Sequence, residues 1–226
     1  DLIYHLAGIT NVGTTKDDVD KDRDKKINLV GITGTRNIIK NSSDTVKIIF
    51  PSTHVVFEGL DKSIKNIKES DTPNPVLNYS KGKFQTEKDL TSSDINYVIL
   101  RLGSVYGKSF DSTRLNIMAN LFSKITSLDG KINLYAGGEQ LKSLVSVYDV
   151  ARCMEFVGEN QEISREIFNC VSENLTVKEV ANICKKINKD VELISTNDPV
   201  PNKGYGLSNK KITKEGFKFL YTLEKS

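Results

Sequence analysis

The chain has 226 residues, of which 38% are hydrophobic, 27% charged and 8% aromatic. This composition excludes collagen-like, low-complexity and disordered chains, and the length allows one large core or a core with a small appendage. The 32 basic and 29 acidic residues leave a net charge of +3. Because this excess is spread along the chain, it predicts neither a nucleic acid nor a membrane surface as a partner. No apolar run approaches the roughly 20 residues that a membrane-spanning helix needs.

Cysteine and histidine give no sign of a disulfide framework or a metal site. Cys153, Cys170 and Cys184 are odd in number and widely spaced, which predicts reduced, part-buried thiols in a cytoplasmic protein. His5 and His54 are the only histidines, too few for a histidine-rich metal centre. We therefore expect a cytoplasmic protein without a bound metal.

Short apolar runs alternate with segments of helical spacing along the chain. The apolar runs predict strands over Leu2–Ala7, Val46–Phe50 (stopped by Pro51), Tyr97–Leu102, Val145–Val147, Ile167–Val171 and Val191–Ile194. The helical spacing predicts helices over Ile27–Ile39, Val76–Leu90, Leu115–Ile125, Asp149–Val157 and Thr176–Ile187. Thr176 followed by Glu179 is the pattern of a capping box at the start of the last helix.

Alternating strands and helices are typical of βαβ units, so the pattern predicts an α/β fold with a parallel sheet. Past residue 107 the predicted elements become shorter and less regular. We interpret residues 1–107 as the main sheet domain. Residues 108–226 are interpreted as mainly a smaller lobe that covers the substrate, with returns to the main sheet.

The stretch from Tyr79 to Lys83 carries the clearest chemical signal. On a helix these two side chains, four residues apart, lie on one face. An ammonium beside a phenol favours the phenolate and lowers its pKa from about 10 towards neutrality. A phenol tuned in this way can exchange a proton with a substrate alcohol or carbonyl.

The spacing alone is weak, because Tyr221 and Lys225 share it near the C-terminus. Context distinguishes the first pair, which follows a proline-rich loop at the predicted start of a helix. The hydroxyls of Ser52 and Thr53 follow a predicted strand, and parallel-sheet enzymes place their chemistry beyond the carboxyl ends of strands.

Six stretches follow one another as in the extended short-chain dehydrogenase/reductase family, which the chain therefore resembles: DLIYHLAG, INLVGITGTRNII, FPSTHVVFEG, NPVLNYSKGKFQTEK, YVILRLGSVYGK and SLVSVYDVAR. The family contains NAD(P)-dependent nucleotide-sugar epimerases, dehydratases and reductases. The resemblance implies a Rossmann-like doubly wound parallel sheet with a small C-terminal substrate-binding lobe. It also implies NAD or NADP as cofactor and a nucleotide sugar as substrate. By the same analogy we expect a homodimer formed through helices near Lys25–Ile39 and Val76–Leu90.

The resemblance also implies roles for single residues near the cofactor. Tyr79 corresponds to the catalytic acid or base, and Lys83 to its partner, which also bonds the nicotinamide ribose. The catalytic Ser/Thr of the family, three residues before the Val of its Val-Tyr-Gly, falls on Thr53, because that Val is Val56 here. Ser52, the neighbour of Thr53, has at best a supporting role beside the cofactor. By resemblance, Leu6 and Ala7 line the cofactor, and Leu102 lies by its carboxamide.

Three residues are implied as substrate contacts. Ser104 stands where the family often has an Asn that holds the diphosphate, and is a weaker ligand. Asn116 matches a family Asn that meets the sugar nucleotide. Lys142 corresponds to a family Arg for the diphosphate, so the charge is kept and the bidentate fork is lost.

Departures from the family pattern restrict the reaction. The family's sugar dehydratases place Asp and Glu directly after the catalytic Thr, whereas His54 and Val55 follow Thr53 here. Dehydration is therefore disfavoured, which leaves epimerisation or carbonyl reduction with hydride transfer to or from NAD(P).

The largest departure lies at the front of the chain. Asp1 leads directly into an apolar strand, and the family's Gly-rich βαβ, which holds the cofactor diphosphate at a helix N-terminus, has no counterpart. We expect the sequence to be an N-terminally truncated fragment of a longer enzyme. The alternative is a non-catalytic relative, a binding or regulatory protein that kept the fold and lost cofactor binding.

Overall fold

A computed structural model describes residues 1–10, 20–60, 64–108, 113–200 and 204–225. The chain forms two compact units, each built from separate segments. The first unit comprises Asp1–Leu60, Glu69–Leu102 and Arg152–Asn169, and the second comprises Asp61–Lys68, Gly103–Ala151 and Cys170–Ser226. The assignment of residues 108–226 to substrate binding stays a prediction.

The described strands are short and spread over the whole chain. They are β1 (Leu2–Tyr4), β2 (Lys47–Thr53), β3 (Asn96–Leu102), β4 (Ser104–Tyr106), β5 (Lys131–Leu134), β6 (Leu141–Ser146), β7 (Glu166–Cys170), β8 (Glu173–Thr176) and β9 (Glu192–Ser195). The α-helices are α1 (Lys21–Asn28), α2 (Gly34–Asn41), α3 (Asn78–Thr91), α4 (Met118–Thr126), α5 (Val147–Glu159), α6 (Val177–Ile187) and α7 (Lys210–Lys214).

The first unit is organised around a four-stranded sheet of order β1-β2-β3-β7. β2 runs parallel to both β1 and β3, as expected of strands joined by crossover helices. Apolar side chains that are at most 7% exposed form the core of this unit: Val46, Ile48, Phe50, Leu90, Ile95, Tyr97 and Ile99. The predicted α/β class with a parallel sheet is confirmed.

The prediction that Pro51 ends β2 is wrong, because the strand continues through it to Thr53. Proline lacks an N–H and is normally excluded from the interior of a sheet. Here the N–H of His5 makes the last bond from β1 to β2, to the carbonyl of Ile49. Pro51 is two residues beyond Ile49, on the same side of β2. Because β1 has already ended at Tyr4, no residue of β1 stands there to accept an N–H from position 51.

Other predicted boundaries also differ from the structure. The strand predicted over Val145–Val147 runs over Leu141–Ser146 instead, and Val147 begins α5. The first strand ends at Tyr4 rather than Ala7, because the N–H of Leu6 turns back to the carbonyl of Tyr4. The segment predicted as a helix, Ile27–Ile39, is helical without a break, but residues Leu29–Thr33 between α1 and α2 are π-helical. This wider turn lies where α1 and the π-helical segment pack against α3.

The second unit contains two small sheets, β4-β6-β8 and β5-β9. β4, β5 and β8 were not predicted, because strands of three or four residues carry too little periodicity to identify. α6 begins with the predicted capping box, in which Thr176 Oγ1 accepts the N–H of Glu179 and the Glu179 carboxylate accepts the N–H of Thr176. α4 and α6 cover β5 in the core of this unit.

Within the described ranges, no helix is long and apolar enough to cross a bilayer.

Candidate active site

The carboxyl end of β2 places Thr53 at the start of a short 3-10 helix, His54–Phe57. Thr53 is extended and buried, and its Oγ1 accepts the N–H of Val55 at 3.2 Å. A β-branched residue with an acceptor hydroxyl suits this strand-to-helix corner. The local sequence therefore fixes the hydroxyl at the point where the strand ends.

The start of α3 is held by Glu58, a residue to which sequence reasoning gave no role. Its Oε1 accepts the N–H groups of Val76 and Leu77 at 3.0 and 2.6 Å and the hydroxyl of Ser80. Free N–H groups at a helix start need acceptors, and Leu77 at the cap position has no side-chain acceptor. Glu58 supplies them and so fixes the turn that carries Tyr79.

Lys83 lies one helical turn after Tyr79, with its ammonium withdrawn from water. Nζ donates to the carbonyl of Pro51 at 2.8 Å and lies 4.5 Å from the ring centroid of Phe50. Burial lowers the pKa of Lys83 to about 8, and the negative charge of Glu87 acts in the opposite direction. Lys83 therefore joins α3 to β2 and titrates near neutrality.

Tyr79 and Lys83 line one pocket of the first unit, which contains about 310 Å³ of empty space, part of it open to solvent. Its described lining also includes small and apolar residues: Ala7, Gly8, Ile9, Ile27, Gly31, Phe50, Gly82 and Thr86. Of the predicted set, the pocket thus brings together Ala7, Tyr79 and Lys83.

Four predicted residues of the first unit are not among the described lining residues. Leu6 is 64% exposed, and Leu102 is half-buried at the end of β3. Ser52 and Thr53 are buried in the last two positions of β2, two residues or fewer beyond the Pro51 carbonyl that Lys83 binds.

His5 is a buried neighbour of this pocket for which the sequence predicted no role. Its Nε2 lies 2.8 Å from Oγ1 of Thr35, and that hydroxyl donates to the carbonyl of Gly31 at 2.5 Å. Because the threonine proton is used on Gly31, His5 donates from Nε2 to the hydroxyl oxygen. Burial, and then the charge of Lys83, lowers the pKa of His5, which favours the neutral imidazole.

The three predicted substrate residues lie in the second unit. Ser104 begins β4 and is half-buried. Asn116 is exposed, and its Oδ1 accepts Nε–H of Arg114 at 3.1 Å. Lys142 lies in β6, where burial lowers the pKa of its ammonium. Their role in substrate binding stays a prediction.

The residues that the structure describes contain no candidate metal site. No group of three or more His, Cys, Asp or Glu side chains there could hold a metal ion, and the three cysteines are buried thiols.

Comparison with protein families places residues 1–208 in the family described as the RmlD substrate binding domain. The curated proteins contain no match to the chain.

Several solved structures share the fold at low sequence identity. Pal from Bacillus thuringiensis is 22% identical with a TM-score of 0.80, over 100% of this chain and 72% of that one. The Thermotoga maritima UDP-glucose 4-epimerase, solved with UDP-glucose, is 21% identical with a TM-score of 0.80, over 99% and 74%. The Thermus thermophilus UDP-glucose 4-epimerase, in complex with NAD, is 22% identical with a TM-score of 0.80, over 99% and 74%. These likenesses establish the fold.

Proposed function

The chain belongs to the RmlD substrate binding domain family, and from this premise we propose that it acts in an NAD(P)-dependent epimerase or reductase of nucleotide sugars. The observation that carries the proposal is the shared pocket of Tyr79 and Lys83. Related structures were solved with UDP-glucose, with UDP-glucuronic acid and NAD, or with NAD, and these ligands of those proteins support the same substrate and cofactor classes.

The proposed mechanism assigns proton transfer to Tyr79. The phenolic oxygen takes the proton of a sugar hydroxyl as that carbon is oxidised, and returns it when the carbonyl is reduced. The ammonium of Lys83 stabilises the phenolate, since both side chains line one pocket. Thr53 would hydrogen-bond the reacting oxygen from the end of β2, which requires its hydroxyl to turn towards the substrate while still accepting the N–H of Val55.

The pocket fits the nicotinamide end of a dinucleotide. The backbone at Gly8 passes close to the lysine, since a Cβ added there would lie 3.9 Å from Nζ of Lys83. Ile9 and Phe50 offer apolar surface in the same pocket. We propose that Lys83 donates to a ribose hydroxyl there. When bound, the cofactor accepts and returns the hydride.

Epimerisation or reduction is favoured over dehydration by the residues that follow Thr53. His54 and Val55 lie in the 3-10 helix, and Val55 has no group that could remove or supply a proton. Water elimination needs an acid and a base at these positions, by resemblance to the dehydratases of the family. We further propose a homodimer, for which sedimentation of the full-length protein is the test.

The test replaces Tyr79 by Phe in the full-length protein. Wild type and variant are incubated with NAD(P) and a panel of UDP-sugars, including UDP-glucose and UDP-glucuronic acid, and proton NMR follows the conversion of the sugar. Loss of the acid–base group should lower turnover roughly a hundredfold or more. Activity within tenfold of wild type would overturn the assignment.

The matched control is Tyr221→Phe, because Tyr221 and Lys225 have the same spacing. The Tyr221 ring packs on Tyr148, with ring centroids 5.4 Å apart, so the loss of its hydroxyl should leave turnover unchanged. If the wild-type protein neither converts a sugar nor binds NADH in a fluorescence titration, the non-catalytic alternative replaces this proposal.

A further inference from the structure

A buried ion pair and its hydrogen bonds connect α3, the helix that carries Tyr79 and Lys83, to β2 and β3, the two central strands of the four-stranded sheet. Glu87 on α3 and Arg101 on β3 are 2% and 3% exposed. Nη2 and Nε of Arg101 donate to the Glu87 carboxylate at 2.8 and 3.1 Å. The hydroxyl of Ser52, also buried, donates to the same carboxylate at 2.5 Å. One carboxylate therefore holds α3, β2 and β3 together.

Arg101 makes two further contacts within the first unit. Nη1 donates to the carbonyl of Glu69 at 3.1 Å, and the guanidinium carbon lies 5.2 Å from the ring centroid of Phe57. A bidentate, stacked arginine has a single orientation, which a lysine could not reproduce. The Glu87 carboxylate is thus held rigidly.

Stability alone does not account for this arrangement. Two buried charges lose hydration, and apolar residues of similar volume would often hold the same elements together as well or better. What the ion pair adds is a fixed geometry, with the Glu87 carboxylate and the Ser52 hydroxyl each held in one place. Both are delivered to the site, since Ser52 directly precedes Thr53 and Glu87 lies one helical turn beyond Lys83.

We infer that Glu87 is a positioning residue of the active site, whose charge acts on the Lys83 ammonium on one side and which, through Ser52, holds the strand end that carries Thr53 on the other. This inference rests on the proposed function for its purpose. Arg101 acts one step further back, by orienting the Glu87 carboxylate.

Among the described residues, the negative charge that acts on Lys83 is that of Glu87, and the guanidinium of Arg101, which binds the same carboxylate, partly offsets it. On α3 the charged and titratable neighbours of Lys83 are Tyr79 and Glu87. From the segment after β1 comes His5, whose lowered pKa favours the neutral imidazole. β2 contributes the carbonyl of Pro51, and the α1 side adds only Ile27 and Gly31 to the described pocket lining.

The experiment titrates Lys83 directly, without substrate or cofactor. Lysine carrying carbon-13 at Cε is incorporated into the full-length protein, and the Lys83 signal is assigned from its loss in Lys83→Arg. In wild type the signal should titrate near pH 8. In Glu87→Gln the midpoint should fall by about one pH unit, because the nearest negative charge is gone.

The matched control is Asp89→Asn on the same helix. Asp89 also pairs with an arginine, Arg36, at 2.7 Å, but that arginine is 56% exposed. Its loss breaks an ion pair of α3 without touching the Glu87 carboxylate, so the Lys83 midpoint should stay within about 0.2 pH unit of wild type.

Glu87→Gln leaves Arg101 buried without a charge partner, which is strongly destabilising in itself. The double variant Glu87→Leu, Arg101→Met carries no unpaired charge and should fold. Its Lys83 midpoint should move in the same direction as in Glu87→Gln, by a smaller amount. An unchanged midpoint in whichever of these two variants folds overturns the inference.

Turnover kinetics provide a second test, because a purely structural residue would not lower kcat while leaving KM nearly unchanged. In Ser52→Ala and Glu87→Gln, kcat should fall at least about tenfold while KM for the sugar changes less than about threefold, since orientation rather than binding is lost. An unchanged kcat in both variants also overturns the inference. If instead Tyr79→Phe retains full turnover while the Lys83 midpoint still moves in Glu87→Gln, the proposed function fails and the link between Glu87 and Lys83 stands.

Discussion

Two lysines of the first unit lie with their ammonium groups withdrawn from water, and they differ in what surrounds them. Lys47, at the start of β2, is 6% exposed, and its Nζ donates to the carbonyls of Val157 and Asn160 at 2.6 and 2.7 Å. Lys83 meets the other end of β2, where Nζ donates to Pro51 and lines a pocket with Tyr79. Burial lowers the pKa of both.

The difference shows that burial and a lowered pKa do not by themselves mark a catalytic lysine. Lys47 satisfies carbonyls at the end of α5, which have no partner within the helix, and is thereby committed to structure. Lys83 combines a lowered pKa with access to a pocket and a phenol one turn away. Access and a reaction partner are therefore the features that point to function.

The strongest test of this contrast is the effect of each lysine on turnover. Lys83→Met should lower kcat on the sugar substrate by about a hundredfold, because the phenolate of Tyr79 loses its stabilising charge. Lys47→Met should keep kcat within about twofold of wild type, measured on folded protein at the same pH. Equal losses in the two variants would show that the contrast has no functional meaning.

The two variants should also differ in stability, in opposite directions. Lys47→Met removes the ammonium donor from the carbonyls of Val157 and Asn160, and only the second of these also accepts an N–H from Ile163. This loss should lower the free energy of unfolding at pH 7 by about 2 kcal/mol. Urea denaturation of both variants beside wild type measures this difference. A fully stable Lys47→Met would contradict the structural role of that lysine.

Lys83→Met should stabilise the protein at pH 7 and lose that advantage as the pH rises. A lysine in the unfolded chain titrates near 10.5, whereas folded Lys83 titrates near 8. Between these values the unfolded state binds more protons, so the stability of wild type rises with pH. The variant should be about 2 kcal/mol more stable at pH 7, once its lost hydrogen bond is allowed for. A difference between the two proteins that is the same at pH 7 and pH 10 would count against the lowered pKa.

The smallest effect is expected at a lysine in water. Lys131 is 67% exposed and pairs with Glu192 at 2.8 Å across β5 and β9. Lys131→Met should leave both the melting temperature and kcat unchanged, because an exposed ion pair contributes little. A clear loss of melting temperature or of kcat in Lys131→Met would show that the effects of these lysine substitutions do not depend on burial.

Local chemistry made some parts of this protein predictable. The capping box of Thr176 and Glu179 needs only residues three apart, and it forms as predicted. The Tyr79–Lys83 spacing needs only a helix, and α3 supplies it. Continuation of β2 through Pro51 was not predictable, because it depends on where β1 stops pairing, a contact between residues distant in sequence.

The sequence by itself determined the α/β class, the helix that bears the phenol and the ammonium, and the strand before Thr53, since each follows from periodicity and composition over a few turns. Only the tertiary structure decided that the ammonium of Lys83 lines the pocket, whereas that of Lys47 binds carbonyls at the end of a helix. It alone showed that Glu87, Arg101 and Ser52 meet at one buried carboxylate. The physical reason is that burial, and the loss of hydration that shifts a pKa, depend on packing between segments that no local pattern records.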